Sequence, residues 1–223
     1  DVMLDKLSGI VDMTTEELPI LDQNGEPSGA NRLIVKIAGG QVLVDSDDYR
    51  QLECVARKSE EKVNQSDIDG LYDIQWTDGV EFGLYNESMG GELRGLIQMR
   101  DGNNGEYFNG TVDKVYYNID TTRVVINTTA DYLGNMSKCT LSDTGGKINI
   151  GNQIYYYTDW TYDGDGNYSF TIDNKKSDMP LVSGKIGSET FVGAEVRYQG
   201  IPYYMEQMNE WIRDFAKAIN DIF

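Results

Sequence analysis

Lys147-Ile-Asn-Ile150, Gly151-Asn152 and Gln153-Ile-Tyr-Tyr-Tyr-Thr158 decide what kind of chain this is. Before the glycine–asparagine pair, Ile148 and Ile150 alternate with polar residues, the period of a strand, and after it comes a tyrosine-rich run of the kind that suits a pleated surface. Gly and Asn accept the positive φ that a two-residue hairpin turn needs. The alternation sends Tyr155 and Tyr157 to one face and Tyr156 to the other. Moving outward, Asp159-Trp-Thr-Tyr162 turns through Asp163-Gly-Asp-Gly166 into Asn167-Tyr-Ser-Phe-Thr-Ile172. Upstream, Thr111 to Asn118 and Arg123 to Thr128 read as strands. Downstream, Thr190-Phe-Val192 and Ala194 to Tyr198 close the run. Residues 102–200 are expected to form an antiparallel sandwich or barrel of roughly seven strands.

A second β-rich stretch precedes this one, over 11–87. Arg32-Leu-Ile-Val-Lys-Ile-Ala38, Gly39-Gly40 and Gln41-Val-Leu-Val-Asp45 predict a hairpin. Asp78-Gly79 predicts another, with Ile74 and Trp76 across from Val80, Phe82 and Leu84. Lys58 to Asp69, polar and charged, reads as a loop excursion.

Helical spacing appears three times. Leu4, Leu7 and Val11 mark a short helix over 1–10 that must dock on something to be stable. Met89, Leu93, Leu96 and Ile97 form one stripe over 88–101, where Gly90, Gly91 and Gly95 suit a close backbone approach. In 201–223, Pro202 starts a helix. Met205, Met208, Ile212, Phe215, Ile219 and Ile222 follow at alternating spacings of three and four, an a/d seam. The chain opens without methionine in a helical pattern, and the last pattern still runs at Phe223. Both ends therefore read as truncated helices of an excised piece. The expected class is α+β, mainly β: two antiparallel β-domains attached to a truncated, coiled-coil-like helical segment. The expected packing residues are Leu4, Leu7, Leu93, Leu96 and Ile97 together with the six of the last seam. Truncating Ile212 or Phe215 to alanine would cost about 2–5 kcal/mol if they are fully buried.

Composition narrows the chemistry. The formal charge of −18 over 223 residues disfavours nucleic acid and anionic membrane surfaces as partners. No stretch approaches the ~20 apolar residues of a membrane span. The chain has 0 histidines, which excludes Ser-His-Asp and Cys-His catalysis and most zinc hydrolase sites. Carboxylate-pair hydrolysis and magnesium sites stay open. Cys54 and Cys139 make no metal spacing, and a single disulfide between them stays open beside two buried thiols. Asp163, Asp165 and Asn167 are spaced like the start of a calcium loop. Tyr168 stands where the invariant glycine belongs and Asn174 where the glutamate belongs, so a polar turn is expected. Asp45, Asp47 and Asp48 read as an aspartate-rich turn. Tyr156, Trp160 and Tyr162 are candidates for a surface aromatic patch, either sugar-stacking or plain sheet cover. No cofactor is expected.

Asp5-Lys-Leu-Ser-Gly-Ile-Val-Asp-Met13, the hairpin through Gly39-Gly40, Gly90-Gly-Glu-Leu-Arg-Gly-Leu-Ile-Gln-Met-Arg-Asp101 and Ile201 to Asn220 together resemble the bacterial flagellar hook-associated protein 1 family. The resemblance covers roughly 1–101 and 201–223, with 102–200 as an inserted module. It implies a non-enzymatic, extracellular axial protein, exported by the flagellar system and set as a ring between hook and filament. Its implied partners are the hook protein, the second hook-associated protein and its own copies. A secreted carbohydrate-binding or adhesive β-module is the competing expectation.

Overall fold

The computed structural model describes residues 2–138, 141–177 and 183–222. Among these the chain is mainly β, with antiparallel sheets and three α-helices. It divides into two units. The first comprises Asp1–Ala56 and Tyr72–Gln98, the second Arg57–Leu71 and Met99–Phe223.

In the first unit, α1 (Val2–Ile10) leads into a four-stranded sheet in the order β1 (Met13–Leu21), β2 (Pro27–Ile37), β3 (Gln41–Asp45), β4 (Asp48–Tyr49). The β2–β3 turn uses Ala38, Gly39 and Gly40, all at positive φ. A Cβ on Gly39 would come within 2.8 Å of the Ser88 side chain, so glycine there serves packing as well as turning. β5 (Leu52–Ala56) pairs with β6 (Tyr72–Trp76) as a separate two-stranded ribbon. At Asp78-Gly79 the chain reverses, Trp76 N–H donating to Val80 O at 2.9 Å, but the expected facing strand is reduced to a single bridge between Gln75 and Glu81.

Val11, Ile37, Ala38, Trp76, Phe82, Leu84, Met89 and Ile97 form this unit's core, with Leu7 and Leu93 packed against it. α1 and the first turns of α2 (Gly91–Asp101) are therefore held by β-sheet side chains and do not form a shaft of their own. Helices of nine and eleven residues gain stability only by burying a face in this way. Gly91, at φ 79°, lies where a Cβ would meet Ile10 O at 2.6 Å, so α1 and α2 approach through it. Gly95 has open space around it and needs no such explanation. Asp12 ties the junction: its carboxylate accepts from Gly90 N–H at 2.7 Å and Gly39 N–H at 3.0 Å.

The second unit is built on a closed six-stranded antiparallel barrel. Its strands are β7 (Phe108–Tyr116), β8 (Thr121–Asn127), β9 (Gly146–Ile150), β10 (Gln153–Tyr162), β11 (Asn167–Asp173) and β12 (Glu189–Val192). Around the wall the order is β10-β11-β8-β7-β12-β9. Closure comes from β12, which pairs with both β7 and β9. Gly151 and Asn152, at φ 53° and 63°, make the two-residue turn between β9 and β10. The interior is filled by Phe108, Ile126, Ile148, Tyr155, Tyr168 and Phe170, among others, and Leu133 and Leu141 pack there too. Phe108 meets Tyr168 and Phe170 edge-on at 5.1 and 5.2 Å.

The polar excursion 57–71 belongs to this unit and not to the first β-domain. Its anchor is Arg57, whose side chain is 2% exposed and pairs with Asp67 at 2.9 Å and Asp101 at 3.4 Å. Asp67 also accepts from the N–H groups of Val63 and Asn64 at 3.0 and 3.1 Å. Asn64 donates to Asp101 O, and Asn103 donates to Asn64. A loop this charged reads as solvated from composition, and Lys58 and Asp69 are exposed, yet Arg57 and Asp67 are dry because they neutralise one another.

Candidate assembly surface

α3 (Ile201–Asn220) is the one long helix among the described residues. Pro202 sits in its first turn and is buried. Tyr203 N–H donates to Gly102 O at 3.2 Å, pinning the helix start beside the end of α2. The half-buried side chains that follow are Tyr203, Glu206, Gln207 and Glu210, and Glu210 pairs with Lys138 at 3.3 Å. From Trp211 to Asn220 every residue is exposed.

At about 100° per residue, these half-buried positions fall on one side of α3 and the a/d seam on the opposite side. The helix thus rests on its own unit by a polar face and turns its apolar face outward. Met205, Met208, Ile212, Phe215, Ile219 and Ile222 are all exposed, Met208 by 58% and Phe215 by 57%. The loss of about 2–5 kcal/mol expected if Ile212 or Phe215 were fully buried therefore does not apply within this chain, where neither packs on the β-module. The periodicity identifies an apolar stripe but not what it meets. The stripe is also wider than an a/d count gives. Tyr204 and Trp211 lie on it, exposed, and Trp211 stacks on Phe215 at 5.9 Å. Both fall within the wider apolar stripe of a 3.6-residue period, which a seam of a and d positions leaves out.

The remaining candidates divide. Leu7, Leu93 and Ile97 pack in or on the first core, Leu4 is half-buried and Leu96 is exposed. Tyr156, Trp160 and Tyr162 do not form one surface patch. The β10–β11 register shifts between Tyr157 and Asp159. That bulge reverses the alternation, so Trp160 and Tyr162 pair with the inward Phe170 and Tyr168 while Tyr156 faces out. Tyr162 stacks on Tyr168 at 4.6 Å, and the Trp160 indole N–H donates to Ser142 O at 3.1 Å.

Asp163 is a turn residue. Its carboxylate accepts from Asn167 Nδ2 at 2.7 Å and from the N–H groups of Asp165 and Asn167. These bonds, the Asn167 amide foremost, hold it below the usual carboxylate range. Asp45 is bridged by Arg32, whose hydrogen bonds lower its pKa likewise. Among the described residues no group of Asp, Glu or Cys is arranged to hold a metal ion, and no helix is long and apolar enough to cross a membrane. Cys54 is exposed; Cys139, and with it the question of their pairing, lies outside the described residues.

A profile of the flagellar hook-associated protein FlgK helical domain matches residues 1–138. The match runs from α1 through α2 and on into β7 and β8, past the start expected for an inserted module, and leaves α3 outside. No curated protein and no solved structure matches the chain. With well over half of its residues matched, the chain belongs to the flagellar hook-associated protein FlgK family, whose members are structural parts of the bacterial flagellum.

Proposed function

We propose that this chain is a subunit of the junction between hook and filament, with α3 as its attachment to the helical shaft of the axis. The observation that carries the reading is the outward apolar face of α3. A stripe of Met205, Met208, Trp211, Ile212, Phe215 and Ile219 is large for an exposed surface, and such patches mark sites of association. Its spacing suits coiled-coil packing against another helix. The implied partners are the hook protein, the second hook-associated protein and further copies of this chain, reached after export through the flagellar channel. Charge keeps the acidic subunit soluble on the way.

The test is motility and filament formation in cells whose only copy carries Ile212→Glu and Phe215→Glu. Normal secretion with bare hooks is the expected outcome. Filaments of normal number and length would overturn the reading. The competing adhesive reading loses its main support, because Trp160 and Tyr162 are engaged in the barrel.

A further inference from the structure

The face by which α3 rests on its own unit is electrostatically uneven. Tyr203 and Glu206 line a small crevice, open to solvent, together with Asn64, Glu106 and Lys138. Glu206 Oε2 is sealed from solvent there and meets no hydrogen-bond donor. The groups acting on Glu206 come from three places. Glu106 comes from the segment between α2 and β7, Lys138 from the 3-10 turn at Met136–Lys138, and Glu210 and Arg213 from α3 itself. The excursion contributes only the uncharged Asn64, Gln65 and Ser66. Lys138 is already paired with Glu210. Glu206 therefore has two carboxylates and two cations around it, one of those cations, Lys138, already paired with Glu210, and its own enclosed oxygen lacks a donor.

We propose that the root of α3 is a pH-sensitive latch, in which protonation of Glu206 seats the helix on the segments carrying Asn64, Glu106 and Lys138 and ionisation loosens it. A neutral carboxylic acid tolerates an enclosed, donor-poor site that a carboxylate does not. Burial raises the Glu206 pKa above its ordinary value of 4.5; Arg213 and Lys138 oppose the rise, while Glu106 and Glu210 add to it. The seated form therefore holds its proton over a range where the released form has lost it. Attachment is full below 4.5 and weakens as pH climbs through the raised value. The latch would set how firmly the apolar stripe is aimed, and it stands whichever partner that stripe meets.

Hydrogen exchange of the Tyr203–Glu210 amides tests this on the purified chain, from about pH 4 to 8 after correction for intrinsic rates. The amides of β10 and β11 serve as internal reference. In the parent chain, root protection should fall by about tenfold for each unit by which Glu206 is raised. Glu206→Gln should stay at the low-pH level throughout. Glu106→Gln should move the fall to lower pH, because it removes a like charge. Three results would overturn the latch: a pH dependence that survives in Glu206→Gln, one abolished by Glu210→Gln instead, or a fall shared equally by the barrel amides.

Discussion

Replacing Arg57 by methionine isolates the buried ions that hold the excursion 57–71 within its unit. The methionine keeps most of the side chain's apolar volume and removes its charge. Asp67 and Asp101, with side chains 3% and 0% exposed, then lose the guanidinium at 2.9 and 3.4 Å. Breaking a buried pair by deleting one partner costs about 3–5 kcal/mol. The low end applies here, since Asp67 keeps two backbone N–H donors and Asp101 keeps Arg100 at 2.9 Å. For a unit of roughly 140 residues, about 3 kcal/mol corresponds to a fall in Tm of about 10 °C. The barrel's buried tyrosines give a near-ultraviolet circular dichroism signal by which to follow the melt. A second variant checks the cause. Arg57→Met with Asp67→Asn removes a charge of each sign, keeps an acceptor oxygen for the Val63 and Asn64 N–H groups, and should recover at least half of the loss. A fall of less than about 2 °C in the single variant, or a double variant worse than both singles added, would refute the argument.

Four further outcomes follow from the same geometry. Gly110→Ala places a Cβ 2.6 Å from Asn127 O and 2.8 Å from Ile126 Cγ2. It should cost about 1–3 kcal/mol in urea unfolding of the barrel. Gly9→Ala in α1 meets nothing within 4 Å; it should stabilise the first unit by up to about 1 kcal/mol, read as slower exchange of the α1 amides. Ile212→Ala and Phe215→Ala should each leave the melt of the isolated chain within about 0.5 kcal/mol, because both side chains are exposed. Asp163 has a lowered pKa through Asn167. Its share of the β10–β11 turn should persist above the ordinary carboxylate pKa and fade as pH falls through the lowered one. Amide exchange at Asp165 and Asn167 checks this, with Asp163→Ala showing no such pH dependence.

Local signals in the sequence carried the turns. Gly39-Gly40, Asp78-Gly79, Gly151-Asn152 and Asp163 to Gly166 each reverse the chain as their chemistry requires. Pairings between distant segments were not legible. The four residues of β12 close the barrel by joining β7 and β9, and nothing local to Glu189–Val192 announces that role. The bulge near Thr158 is likewise silent, because one unpaired residue leaves no mark on composition while reversing the alternation after it. Arg57 and Asp67 read as solvent-facing because charge predicts exposure until a partner is known. The stripe of α3 was plain from its spacing, yet which face the helix rests on was set by Glu206, Gln207 and Glu210, residues a hydrophobic pattern ignores.

The closed barrel has a consequence for a protein built into a polymer. An open sheet offers its rim strands as templates, and copies held side by side at high local concentration can zip together through them. In the barrel every strand already has two hydrogen-bonded neighbours. Brought side by side, such barrels can crowd one another without fusing into a continuous sheet, so their spacing is left to other contacts.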